Sequence, residues 1–408
     1  MPALDIEFVR SQFPAFSEPS LQGFAHFENA GGSYACGPVI ERLDRYYRET
    51  KLQPQYAFAP SQKAGELMAR SRQRMAQWLN VAEDEVNFGP STTQNTYVVG
   101  QALRSILSAG DEIIVTNQDH EANIGAWRRL ETEGIHVLEW QVDPVTGELD
   151  PADLEALLTD KTRLVAFTHC SNIVGSVHPV RKLADRIHEA GALVFVDGVA
   201  YCPHGLPDVD ALGADLYVFS LYKVYGPHLG VMVMRKALNQ MLPNQGHFFN
   251  SDLTTKRFTP AGPDHAQIAA VNGVLDYFDS LHEHHFGDGS EGAKQQQIHD
   301  LLRQHEIEMV QPLLDFLDQH PGVRIIGSNN ANDRAPTLSF KVTDHSSHEI
   351  AEKLGRQDIG VGVGNCYAYR LIEALGIDAA DGVVRTSLVH YTNKDEVDRL
   401  INALDGLI

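Results

Sequence analysis

Asp197 closes the apolar run Leu193-Val194-Phe195-Val196, and further along Lys223 stands in Phe219-Ser220-Leu221-Tyr222-Lys223-Val224-Tyr225-Gly226-Pro227. A carboxylate delivered by a buried strand can keep a heterocyclic nitrogen protonated so that the ring takes up electrons. A lysine framed by Ser and Gly can hold an aldehyde as a Schiff base. These are the two demands of pyridoxal phosphate chemistry, and the pair is expected to serve it. Taken alone, a lysine at a strand end reads as a surface residue with its ammonium in water, since lysine is rarely buried without a partner. Asp197 alone is equally ambiguous. Each at the carboxyl end of its own expected parallel strand, the two stand where open α/β sheets hold ligands.

The surrounding elements must bring those ends to one edge. From about residue 60 to 235, helical stretches alternate with short β-branched runs, the signature of βαβ units and a largely parallel sheet. The expected strands are 85–88, 112–116, 136–140, 163–168, 192–196, 216–220 and 230–234. The expected helices are 62–79, 95–107, 124–133, 151–158 and 179–190, with Gly110, Gly134 and Gly191 as stop signals. The stretch 244–265 is polar, rich in Pro and Gly and without period, which predicts a long functional loop. Helices over 268–282, 295–319, 348–354 and 394–407, with strands at 323–326, 337–342 and 383–387, then give an α+β pattern. With 408 residues, more than one core usually serves, two domains are expected. The fold class is α/β: a large, mostly parallel-sheet domain over 20–265 and a smaller α+β domain over 266–408, which residues 1–19 join.

A net charge of -21, from 54 acidic against 33 basic residues, repels phosphodiester backbones and anionic lipid, so neither nucleic acid nor membrane is an expected partner. No run approaches the roughly twenty apolar residues of a membrane span. Cys36, Cys170, Cys202 and Cys366 are widely spaced, without a CxxC pair, and the amino terminus lacks the basic start and apolar stretch of a secretory signal. A cytoplasmic setting is expected.

Three segments make a resemblance specific: Val196-Asp197-Gly198, the Ser220 to Pro227 segment, and Asp119-His120-Glu121-Ala122-Asn123-Ile124-Gly125-Ala126-Trp127. Together with Glu28-Asn29-Ala30-Gly31 near the start and Val384-Arg385-Thr386-Ser387-Leu388 near the end, they resemble the class V branch of fold type I pyridoxal phosphate enzymes, the aminotransferase and cysteine desulfurase-like family. The resemblance implies that Lys223 forms the internal aldimine and moves the substrate α-proton, that Asp197 pairs with the pyridine nitrogen, and that His120 stacks on the ring and relays a proton. It places Asn172 beside the ring oxygen. Thr92, Thr93 and Ser220 hold the phosphate, the first two at a helix start that could equally be a plain Ser/Thr cap. The substrate carboxylate falls to Arg385 through a two-pronged guanidinium, with Ala30 and Asn365 also near the substrate. A homodimer is implied, its partner phosphate reached by the loop Ala261-Gly262-Pro263-Asp264-His265.

The chain departs from that family pattern in three places. Ala200 replaces a glutamine three positions after the ring aspartate. Tyr222 replaces the histidine before the lysine and can still offer a hydroxyl towards phosphate. In the catalytic-cysteine loop, Gly364-Asn365-Cys366-Tyr367-Ala368 puts Tyr367 in the cysteine column, Cys366 one residue early, and Gly362 where relatives carry arginine. A desulfurase needs a thiolate facing the cofactor, and a one-residue shift can turn a side chain away. Gly360-Val361-Gly362-Val363-Gly364 lacks the context of a dinucleotide loop, and His282, His284 and His285 read as a solvated helix end, so no metal is expected. The expected activity is pyridoxal phosphate-dependent chemistry on a small α-amino acid, desulfurase-like or a C–S/β-lyase. The alternatives are a class V aminotransferase or epimerase, or a non-catalytic homologue serving as a binding partner.

Overall fold

A computed structural model describes residues 2–260, 262–287 and 291–408, without the side chains of 291–293. Its strands among the described residues are β1 (Ala25–Phe27), β2 (Val86–Gly89), β3 (Glu112–Thr116), β4 (His136–Trp140), β5 (Thr162–Thr168), β6 (Leu193–Asp197), β7 (Leu216–Ser220), β8 (Gly230–Met234), β9 (Val323–Ile326), β10 (Thr337–Val342), β11 (Ile359–Gly364) and β12 (Val383–Ser387). The first sheet runs β2-β8-β7-β6-β5-β3-β4, and all its pairs are parallel except those that β8 makes with β2 and β7. The second runs β1-β11-β12-β10-β9, antiparallel apart from β1 on β11. Both are as the α/β and α+β patterns require.

Strands β7 and β8 are buried at every position, which is why their sequences run apolar without alternating. Parallel pairing of β3, β5, β6 and β7 sets Thr116, Thr168, Asp197 and Ser220 along one edge. Strand β2 shares their direction and delivers helix Thr92–Arg104 to that edge.

Two features move the expected domain division. Helix His265–Phe286 packs on Gly37–Glu49 and Ala59–Leu79, and its Val271, Val274, Leu275 and Phe278 belong to the core beneath the seven-stranded sheet. Strand β1, placed by the sequence in the large domain, instead completes the five-stranded sheet by pairing with β11, and its Phe27 packs with Leu313, Leu338, Phe340 and Val384. The glycine-rich 360–364 segment is therefore part of a strand. The loop after residue 244 is ordered by Arg257, whose guanidinium donates to the carbonyls of Leu242, Ser251 and Asn239. Ala261 lies outside the described residues. His284 bonds Asp5 and stacks on Phe8, His282 bonds Gln297, and His285 bonds its own helix at Leu281, so the three histidines tie down a helix end. No described helix is long and apolar enough to cross a membrane.

Candidate active site

Lys223 is reached through one tight passage. Strand β7 ends at Ser220, a single 3-10 turn covers Leu221–Lys223, and the chain returns as Gly226 N–H and Val224 N–H donate to the Leu221 carbonyl. Ser33 clamps this turn from the amino-terminal segment: its N–H and Oγ donate to the Tyr222 carbonyl, and its Oγ accepts from Tyr225 N–H at 2.9 Å. The lysine is only 6% exposed. Burial, with the Arg385 charge added to it, pushes the ammonium down to about 8, against an opposing pull from Asp197. Asp197 is buried too. Desolvation pushes its carboxyl up to about 6, although Val199 N–H donates to Oδ1 at 2.8 Å and Lys223 lends a positive charge.

A cleft lies between them, lined by Thr92, Thr93, His120, Asn172, Asp197, Ser220, Tyr222 and Lys223, together with Ala122, Thr168, Cys170, Val199 and Ala200. All cofactor residues expected from the sequence thus meet in one place. Thr92 Oγ1 and Ser220 Oγ lie 2.7 Å apart, and the first turn of helix Thr92–Arg104 adds backbone N–H groups that have no partner within the helix. Ser91 Oγ caps that helix by accepting from Gln94 N–H, so one loop serves both the cap and the cleft. Tyr222 lies parallel to His228, ring centroids 4.8 Å apart.

His120 is neutral: burial and the charges of Lys223 and Arg385 push it down to about 3. Its Nδ1 accepts from Ala122 N–H at 3.0 Å, which leaves the proton on Nε2. The residue before it, Asp119, had no role assigned in the sequence, yet it secures this turn. Its carboxyl accepts from Asn123 Nδ2 at 2.8 Å and from Thr116 Oγ1, and burial pushes it up to about 8.

Arg385 stands beside the cleft on β12. Its Nη1 donates to the Asn172 carbonyl at 3.2 Å, and Nη2 pairs with Glu28 at 2.5 Å, a partner 357 positions away that no local pattern could reveal. Asn172 also donates from Nδ2 to the Cys366 carbonyl at 3.0 Å. Ala30 and Asn365 do not line the cleft. Ala30 N–H donates to Ser387 Oγ, and Asn365 accepts from Tyr367 N–H within its own loop. In that loop Cys366 (φ 47°) and Tyr367 (φ 61°) both adopt the left-handed region, a strain on the order of 1 kcal/mol each that bonds from Asn172 and from Glu121 N–H to their carbonyls sustain. Cys366 does not line the cleft, and its side chain packs against the larger core. The Cys366 thiol feels the charges of Arg385, Glu28 and Lys223, while Tyr367 is 72% exposed and stacks on His120 at 5.1 Å. Burial pushes the Cys366 thiol up, opposite to what an attacking thiolate needs.

Residues 25–400 match the family Aminotransferase class-V. Aminotransferase-like protein FGM3 of Gibberella zeae is 37% identical over all of this chain and 99% of its own length. A cysteine desulfurase of Serratia proteamaculans is 30% identical over 98% of both. The fold is that of the apo cysteine desulfurase from Thermococcus onnurineus NA1, with a TM-score of 0.86 at 24% identity, covering 100% of this chain and 99% of that one. This chain belongs to the class V aminotransferase family, and is a pyridoxal phosphate-dependent enzyme of fold type I. The site fits that cofactor. A cationic ring nitrogen against Asp197 and an aldehyde beside Lys223 would relieve these two buried ionisable groups, and the start of helix Thr92–Arg104 would suit a phosphate.

Proposed function

We propose that the enzyme acts on a small α-amino acid and breaks a bond at its β-carbon, by C–S or related β-lyase chemistry, with desulfurase-like handling of the substrate. The observation that carries this is the buried Lys223–Asp197 pair facing one cleft next to Arg385. Pyridoxal phosphate, when bound, supplies a sink for the electron pair released at the substrate α-carbon. Thr92, Thr93 and Ser220 receive its phosphate, Asp197 holds its ring nitrogen positive, Asn172 and Tyr222 border it, and Lys223 is its attachment amine.

Lys223 also takes the α-proton on Nζ, a role favoured by an amine pushed down to about 8, near working pH. His120, neutral with its proton on Nε2, can donate a hydrogen bond to a departing anion, which takes its proton from solvent. Arg385 fixes the α-carboxylate. Ala30 and Asn365 act from behind, the first by bonding Ser387 near Arg385 and the second by shaping the Tyr367 loop. The raised Cys366 thiol favours routes without a persulfide. Those are direct β-cleavage or, as a second reading, the transamination or epimerisation that other class V chemistry allows. Four free cysteines suit a reducing cytoplasm, and the resemblance supports a homodimer.

Cysteine, selenocysteine and cysteine conjugates offered to the cofactor-loaded enzyme are expected to yield pyruvate and ammonia with release of sulfide, selenide or the conjugate's thiol, whereas alanine with sulfur passed to a thiol acceptor would mark the desulfurase route. Borohydride reduction is expected to fix the label on Lys223. Pyridoxamine phosphate formed with an amino donor, and no cleavage product, would select the aminotransferase instead.

A further inference from the structure

Arg385 is 4% exposed, so its guanidinium depends on its partners for charge compensation. One edge of that guanidinium is only half used. Nη2 holds Glu28 Oε1, while the neighbouring Nε is buried and has no hydrogen-bond partner among the described residues. Glu28, whose side chain is 32% exposed, comes from the segment after β1 and reaches Arg385 across two glycines. A Cβ at Gly31 would lie 1.9 Å from Glu28 Oε2. A Cβ at Gly362, on β11, would lie 3.1 Å from Glu28 Oε1 and 3.2 Å from Arg385 Nε. Any side chain at either place would enter the space that the carboxylate and the guanidinium share.

We propose that Glu28 is a built-in competitor for Arg385: an incoming carboxylate must displace it, and the displaced Glu28 then discriminates against substrates that carry a second anionic group. The proposal rests on reading Arg385 as the receptor of the substrate α-carboxylate. An outside carboxylate that takes Nε and Nη2 together gains a two-pronged pair, where Glu28 makes a single contact. Glu28 is tethered, however, and so is present at high effective concentration. If it holds the arginine nine-tenths of the time, an outside carboxylate loses about tenfold in apparent affinity. Once displaced, Glu28 is near enough to solvent to swing aside, but its charge stays at the mouth of the site. A second carboxylate or a sulfonate on the substrate meets like charge there, whereas a neutral or cationic side chain does not. Neutral and cationic α-amino acids are thus preferred over dicarboxylic ones.

The test is titration of the pyridoxal phosphate-loaded enzyme with propionate and with succinate, read by thermal shift and by the cofactor's absorbance, neither of which requires turnover. Glu28→Gln is expected to bind propionate about tenfold tighter than wild type and to gain still more for succinate. Adding Arg385→Gln is expected to remove both gains. Gly31→Ala, which drives Glu28 from its place without deleting the charge, provides a second variant and is expected to tighten propionate binding as well. Unchanged or weaker propionate binding in Glu28→Gln and Gly31→Ala would overturn the proposal and make Glu28 a support that merely orients Arg385. A wild-type enzyme that turns over no amino acid would sink the functional reading, yet these titrations would still decide the role of Glu28.

Discussion

The side of the site built by the seven-stranded sheet and the side built by the five-stranded sheet are held in different ways. Asp197 and Ser220 sit at the ends of neighbouring parallel strands buried between two cores, with Lys223 one turn beyond Ser220, and their geometry follows from strand register. Arg385 is also in strand register, on β12 between β10 and β11, but its guanidinium, Glu28, Cys366 and Tyr367 are held by a few polar contacts between segments far apart in the chain, with two consecutive left-handed residues among them. The first side keeps the arrangement the cofactor demands. Both sides depart from the family pattern, the first at Ala200 and Tyr222 in the cleft lining and the second at Gly362, the early cysteine and Tyr367. The residues we propose hold the cofactor are thus fixed by strand register, while those we propose to meet the substrate rest on contacts one substitution can rearrange.

The comparison is tested most severely at the lysine. Lys223→Ala is expected to lower kcat by at least roughly 10³-fold and to abolish the borohydride label, since the attachment amine and the proton acceptor go together. Asp197→Asn is expected to cost about 10²-fold in kcat, measured at saturating cofactor. The same change should stabilise the cofactor-free protein. Asp197 titrates near 6 when folded against an ordinary 3.8, so the native state binds the extra proton between those limits. Stability from this group is therefore lost as pH rises through that window and stays lost above it. Urea unfolding at pH 7 is expected to find the apo variant more stable, with the difference closing below pH 4.

On the other side the expected effects are smaller and fall on binding. Arg385→Lys should raise KM for the amino acid substrate by about 10 to 100-fold with a modest change in kcat, because an ammonium cannot supply the two-pronged edge. Cys366→Ala should leave activity within about threefold of wild type. Loss of activity in that variant, with a persulfide trapped on Cys366 in wild type, would show that the second side also takes part in bond breaking.

The same division governs what could be read in advance. The expected bounds of β3, β4, β7, β8, β9, β10 and β12 agree with the structure because short β-branched runs between turn residues declare themselves locally. Strands β1 and β11 were not foreseen. Three residues are a short signal, and Gly360, Gly362 and Gly364 lack the side chains by which a strand is recognised. Helix Gly37–Glu49 was likewise missed. The cleft-lining set was legible because each residue sits in a motif at a strand end or loop. Asp119 and Glu28 lay inside quoted motifs, but their roles depend on partners that only folding supplies.

From the residues alone come the α/β architecture, the lysine and aspartate at one sheet edge, and the cofactor they call for, since period, turn chemistry and strand-end position are local properties of the chain. Folding decided that Glu28 holds Arg385, that Cys366 packs on the larger core while Tyr367 covers His120, and that helix His265–Phe286 belongs to the larger core. Those outcomes turn on which distant groups share a space too small for a Cβ, on burial that sets their charge, and on backbone angles that hydrogen bonds from Asn172 and Glu121 hold against their preference. None of these is a property of any one stretch of sequence.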